Sequence, residues 1–260
     1  INSSCCLICS GTTKRASPMY ERIERIRYSE ADSSGRLSMC GLLRLFQDCG
    51  YFHAADRGLA GKYTEETGCT WYLLSWHIQA FSMPEICETV KISTGVYGIA
   101  GSLSKKSLYM YSAGGELLAA GDTLWVYMNT KTQKPEETPR GLWHTEDDAE
   151  RCTALPTVTR RISVPCGGTR LAPRTVDDYL TDTNGHANNV KLTELAMELA
   201  GMRDCCAALR TEFGKQAPHG STIVPEVARM PDGTAFTVFR DTSGSVLSLY
   251  EFAPKGAKLI

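Results

Sequence analysis

With 260 residues, 42% hydrophobic and 22% charged, the chain can bury a substantial core and has the balance of an ordinary folded protein of about two domains. A formal net charge of −1 excludes wholesale attraction to nucleic acid, and no run approaches the roughly 18 apolar residues of a membrane span. Eleven cysteines, odd in number and set in apolar patterns at Cys40, Cys49, Cys205 and Cys206, read as small hydrophobes in a reducing cytoplasm rather than as a disulfide framework.

Residues 1–18, rich in Ser, Thr and Cys, are expected to form a disordered leader. Cys5, Cys6 and Cys9 within them lack the second Cys/His pair of a zinc site, so no metal is expected. A strand over 20–28 leads to a loop with Asp32 and then to a helix ending near Gly58. That helix carries Leu42, Leu45, Phe46 and Cys49 at i, i+3, i+4 and i+7. Aromatic and β-branched runs at 71–81, 87–94, 102–111 and 117–128, separated by Gly or Pro, predict strands. Residues 131–153, with Pro135, Pro139 and an acidic run, predict an interdomain linker between a first domain at 19–130 and a second at 154–260.

The order then restarts. A strand is expected over 157–164, and 174–183 leads to a second helix striped by Leu192, Leu195, Ala196 and Leu199 and stopped by Gly201. Further strands are expected at 222–229, 234–240 and 245–252, with Pro225 placing the first of these at an edge or bulge. The two copies are in constant register: Asp32 and Asp182, Gly35 and Gly185, Leu42 and Leu192, and Leu45 and Leu195 are each 150 residues apart. Ser34 replaces Asn184 and Arg36 replaces His186, so the first copy has the framework without the imidazole.

Asp182, Asn184, His186, Asn188 and Asn189 therefore collect at a helix N-terminus, where unpaired N–H groups and the helix dipole can stabilise negative charge on a substrate oxygen. An imidazole titrating near pH ~6.5 can take a proton from water, and this is the role expected of His186. Asn184 is a candidate to hold water or a carbonyl, and Asp182 to orient the imidazole. The amides around Asn188 and Asn189 are candidate oxyanion donors, and one of those two residues is also the expected N-cap. His219 is expected to serve a turn, His53 and His77 to be structural, and His144 to lie in the linker.

The run Asp182-x-Asn184-x-His186-x-Asn188-Asn189-Val190-Lys191 resembles the motif of the acyl-acyl carrier protein thioesterases, the fatty acyl-ACP hydrolases of plants and many bacteria. Trp125 to Asn129 with Thr132, and Arg27 to Asp32 followed by Gly35 and Leu42, are similar to further parts of that family. The resemblance implies an α+β tandem double hotdog, each half a long helix wrapped by an antiparallel sheet. It also implies hydrolysis of fatty acyl-ACP to free fatty acid, with no cofactor beyond the phosphopantetheine that the carrier brings. An acyl pocket in the first domain is implied, for which Leu42, Phe46, Trp71, Leu73 and Trp76 are candidate walls. The acidic carrier protein implies a basic docking face, with Lys105, Lys106, Arg160, Arg161, Arg170, Arg174 and Lys191 as contributors. The family also has an acidic residue, followed by Cys in plant members, on a strand after the second helix. These positions fall on Gln216 and Ala217, a departure that removes both carboxylate and thiol, and Glu212 lies four residues upstream. A hotdog hydratase or dehydratase and a non-catalytic acyl-thioester sensor are the competing readings. Exposed sheet edges leave a homodimer open.

Overall fold

The computed structural model describes residues 19–143, 153–156, 161–257 and 259. Its elements are β1 (Tyr20–Arg25), α1 (Met39–Asp56), α2 (Lys62–Thr67), β2 (Cys69–Ala80), β3 (Thr89–Ala100), β4 (Leu103–Ser112) and β5 (Leu117–Asn129). The second half has β6 (Thr169–Arg170), β7 (Arg174–Thr175), α3 (Asn189–Leu199), β8 (Cys206–Phe213), β9 (Thr222–Arg229), β10 (Ala235–Arg240) and β11 (Val246–Pro254). The architecture is α+β, an antiparallel sheet with few helices.

The strands form one sheet in the order β1-β3-β4-β5-β2-β8-β11-β10-β9-β6, with β7 also on β9. The order is the same from either end: β2 matches β8, β5 matches β11, and β1 matches the pair β6 and β7. Beyond the helices the shift between copies is 133 residues, so Val90 pairs with Glu24 as Ile223 pairs with Arg174. At the centre, β2 pairs with β8 from Ser75↔Glu212 to Gln79↔Ala208. His77 and Arg210, themselves 133 apart, sit opposite each other there.

The stripes read from sequence are the buried faces of the helices. Leu42, Leu45, Phe46 and Cys49 of α1 and Leu192 and Ala196 of α3 are buried, and Leu195 and Leu199 pack at the margin of the same apolar cluster. That cluster takes residues from both halves, including Trp76, Ile78, Leu209 and Tyr250. Pro225 is accommodated as its ring requires. Its carbonyl accepts the Leu171 N–H at 2.8 Å on the outer side of β9, in the gap between β6 and β7, so the missing N–H is not needed by β10.

Two points depart from the sequence reading. Helix α2 has no apolar period to announce it; it is bracketed by Gly61 and by Gly68, whose φ of +69° ends it in the left-handed conformation. The strand expected over 157–164 is not formed at 161–164, which is irregular, and 157–160 lie outside the described residues. The strand pairing that begins the second half is made instead by β6 and β7. The leader, His144 and Arg160 also lie outside the described residues. Cys40, Cys49, Cys69, Cys87, Cys166, Cys205 and Cys206 are free thiols. No helix among the described residues is long and apolar enough to cross a membrane.

Candidate functional site

The loop before α3 is organised by one carboxylate. Asp182 Oδ1 accepts the N–H of Asn184 at 2.8 Å and of His186 at 3.4 Å, Oδ2 accepts the Asn184 carboxamide at 3.4 Å, and the Asp182 N–H donates to the His186 carbonyl at 2.8 Å. Gly185, at φ +76°, closes the turn, a conformation costly for a residue with a Cβ. Asn188 is the N-cap: its side-chain oxygen accepts from Val190 N at 2.9 Å and Lys191 N at 3.2 Å. Lys191 reaches back, its Nζ donating to the Tyr179 carbonyl at 2.5 Å while lying 5.2 Å from the Tyr179 ring centroid.

The first copy repeats this at the level of single bonds. Asp32 Oδ1 accepts Ser34 N at 2.8 Å and Arg36 N at 3.3 Å, Gly35 has φ +78°, and Ser38 caps α1 through Gly41 N. Ser38 N donates to Glu30 O as Asn188 N donates to Leu180 O, and Leu37 N donates to Pro84 O as Ala187 N donates to Ala217 O. The copies part at the residue beside the glycine. Arg36 is tied down by its own partners, Nη1 donating to the Met83 carbonyl at 2.8 Å and Nη2 pairing with Glu85 at 2.6 Å. The pocket left there, lined by Asp32, Met39, Met83, Cys205 and Cys206, is about 420 Å³.

At the second copy the cavity is about 1220 Å³. Asp182, Asn184, His186, Asn189, Leu192 and Gln216 line it at one end, and it runs into the first half between α1, β2 and β5. His186 Nδ1 is enclosed and has no hydrogen-bond partner, so Nε2 is the accessible nitrogen. Asp182 therefore fixes the backbone that carries the imidazole and makes no direct bond to it. The Asn188 N–H is taken by Leu180, which leaves the Asn189 N–H, at the first helical position with no intrahelical acceptor, as the oxyanion candidate.

Of the proposed pocket walls, Trp71, Leu73 and Trp76 line the cavity, whereas Leu42 and Phe46 do not: the helical stripe points them into the shared core. All four tryptophans of the chain, Trp71, Trp76, Trp125 and Trp143, face this one cavity. Trp143, from the segment read as linker, is buried against Trp71 and His53. Burial, with the charges of Lys106 and Arg57 nearby, pulls the His53 imidazole down to about 3, as suits a structural histidine. Lys106 is buried with its Nζ 4.3 Å from the Trp143 ring centroid and is no part of a docking face. Lys191 is engaged in bracing the motif loop.

Gln216 is corrected in position. Strand β8 ends at Phe213, where Gly214 N turns to the Leu247 carbonyl, so Gln216 and Ala217 lie in the following loop at the cavity rim. The acidic residue on the strand itself is Glu212, with Phe213 after it. Phe213 faces the cavity, whereas the Glu212 carboxylate accepts the Ile162 N–H at 2.5 Å. Among the described residues no cysteine lines the cavity, and no three His, Cys, Asp or Glu are grouped to hold a metal. His219, beyond the rim, pairs with Asp178 at 2.9 Å and donates its N–H to Gly185, serving the turn.

The family model of the acyl-ACP thioesterase N-terminal domain matches residues 18–144. No curated protein matches the chain. Among solved structures, an acyl-ACP thioesterase from Bacteroides thetaiotaomicron is 18% identical with a TM-score of 0.77, over 90% of this chain and 96% of that one. The 12:0-ACP thioesterase from Umbellularia californica is 17% identical with a TM-score of 0.78, over 91% of this chain and 98% of that one. At such identities the likeness establishes a common fold through both halves. Residues 18–144 thus match the acyl-ACP thioesterase N-terminal domain, and the fold is shared with solved acyl-ACP thioesterases along the rest of the chain.

Proposed function

We propose that the protein hydrolyses the thioester of a fatty acyl-acyl carrier protein, releasing free fatty acid and holo-carrier. The observation that carries this reading is the single cavity with His186, Asn184 and the first turn of α3 at one end and an aromatic wall of Trp71, Trp76, Trp125 and Trp143 at the other. Its volume exceeds the ~300–1,000 Å³ of an ordinary small-molecule site, which suits a long chain together with a pantetheine arm. In this reading the chain is a tandem double hotdog with halves at 19–130 and 154–260, and the bond-for-bond repeat of the two motif loops supports the duplication.

His186 Nε2 takes a proton from water as the water oxygen bonds to the thioester carbon. Asn184 donates through Nδ2 to Asp182, which leaves its Oδ1 to accept the water's second hydrogen. The carbonyl oxygen becomes an oxyanion facing the Asn189 N–H and the positive end of the α3 dipole. Collapse breaks the C–S bond, and the departing thiolate takes the proton held by the imidazolium. Water is the nucleophile because no thiol lines the cavity among the described residues. Carrier docking falls to the exposed Lys105, Arg170 and Arg174 and to Lys215 at the rim.

The test is release of fatty acid from a panel of acyl-carrier substrates of graded length. Wild type cleaves at least one, and His186→Ala lowers the rate by about 10²–10⁴-fold. Carrier binding without release would favour an acyl sensor, and accumulation of an enoyl or hydroxyacyl product would favour a hydratase.

A further inference from the structure

Acyl-transfer sites typically hold the tetrahedral oxyanion with more than one donor. Helix α3 offers the Asn189 N–H, and the Asn188 N–H is already bonded to Leu180. The internal symmetry shows what stands across from that amide. Arg44 and Glu194, separated by the repeat shift of 150 residues, join at 2.5 Å, so α1 and α3 meet at equivalent positions. Gln47, Tyr51 and Ala54, spaced along one helical face of α1, line the cavity together with Asn189 and Leu192.

Gln47 is half-buried, and its carboxamide has no hydrogen-bond partner among the described residues. At the silent end the roles of the helices are exchanged, and the residue equivalent to Gln47 is Met197, fully buried and apolar. A polar group thus stands at this helical position only where His186 and Asn184 stand, and not where Arg36 and Ser34 replace them. That contrast sets Gln47 apart from polar side chains that merely meet water: the same scaffold, freed of catalysis, fills the position with a thioether.

We infer that Gln47 is a catalytic residue supplied by the first half: its Nε2 donates to the thioester carbonyl oxygen and, with the Asn189 N–H, holds the oxyanion as water adds. A carboxamide suits the task because it donates two hydrogens without carrying a charge that needs a counter-ion. The first half then contributes to bond breaking as well as to acyl binding. This rests on the hydrolase reading above.

The test compares kcat and KM of wild type, Gln47→Leu, Gln47→Glu and His186→Ala on an acyl-carrier substrate that wild type cleaves, together with their thermal midpoints. Leucine keeps the bulk and removes the donor; glutamate keeps size and polarity and presents acceptors in place of donors. Both are expected to lower kcat about 10²–10³-fold with KM within about threefold, at an unchanged thermal midpoint. Retention of kcat within about threefold by Gln47→Leu, or a change in KM alone, overturns the inference. Should Gln47→Leu fail to fold, Gln47→Glu decides by the same criteria. If wild type cleaves and His186→Ala does not while the Gln47 variants do, this inference falls and the hydrolase reading stands; if wild type cleaves no thioester, both fall.

Discussion

Two aspartates in identical turns give the chain an internal control at the scale of single residues. Asp32 and Asp182 each gather the amides of their own loop, but only Asp182 carries an imidazole on the loop it braces. Asp182→Ala is expected to lower kcat by about tenfold or more, because a catalytic group displaced by even ~1 Å loses much of its effect. Asp32→Ala is expected to leave kcat within about twofold and to lower the thermal midpoint, as loss of local hydrogen bonds does. Equal loss of activity in both variants would contradict the separate roles proposed for the two copies. His53 supplies a pH signature. Its folded value lies near 3 against 6.5 for the ordinary group, so between these pH values the unfolded chain binds a proton that the folded chain excludes. Stability therefore falls as pH drops from 6.5 toward 3, by up to about 1.4 kcal/mol per pH unit from this residue. Melting series over that window should show a shallower decline in His53→Leu than in wild type.

At the scale of elements, the helix starts are where sequence was most readable. Local chemistry fixes them: an Asp-x-x-Gly turn, a cap residue three positions on, and an apolar stripe behind it need no distant contact to be recognised. Asn188→Ala should cost about 1 kcal/mol of stability, seen as a lower denaturation midpoint, since two first-turn amides lose their acceptor. At the other helix the tolerance is steric. A Cβ on Gly41 would lie 2.4 Å from the Glu30 carbonyl, a backbone atom with no freedom to retreat, so Gly41→Ala should destabilise by about 1–3 kcal/mol in the same measurement. What sequence could not assign was the destination of apolar side chains. Leu42 and Phe46 belong to the core alone, Trp71 lines the cavity and Trp76 serves both, yet both kinds of surface exclude water, and periodicity alone does not separate them. Gln216 was misplaced for a related reason: the end of β8 is set by its pairing with β11, a contact more than thirty residues away along the chain. Trp143 gave no periodic signal because its role is to plug a cluster built by other segments.

At the scale of the molecule, duplication was legible as a constant offset, whereas the joining of the two copies through β2 and β8 was not, since strand order across a sheet has no local signature. That junction makes the sheet continuous, and the main apolar cluster draws on both copies. Beside it Arg210 and Glu251 form a buried pair, Arg210 Nε donating to Glu251 at 2.6 Å. Calorimetry should record one cooperative transition rather than two, and Glu251→Ala, which takes the carboxylate away from a buried guanidinium, should lower it by an amount equivalent to about 3–5 kcal/mol. Two resolved transitions would show that the halves melt independently. The guanidinium of Arg36, bolted to Met83 and Glu85, has a stoichiometric consequence. Under the function proposed above, only the seat beside His186 takes a guest, so titration with a tight-binding substrate mimic should saturate at a single equivalent per chain, however many chains associate.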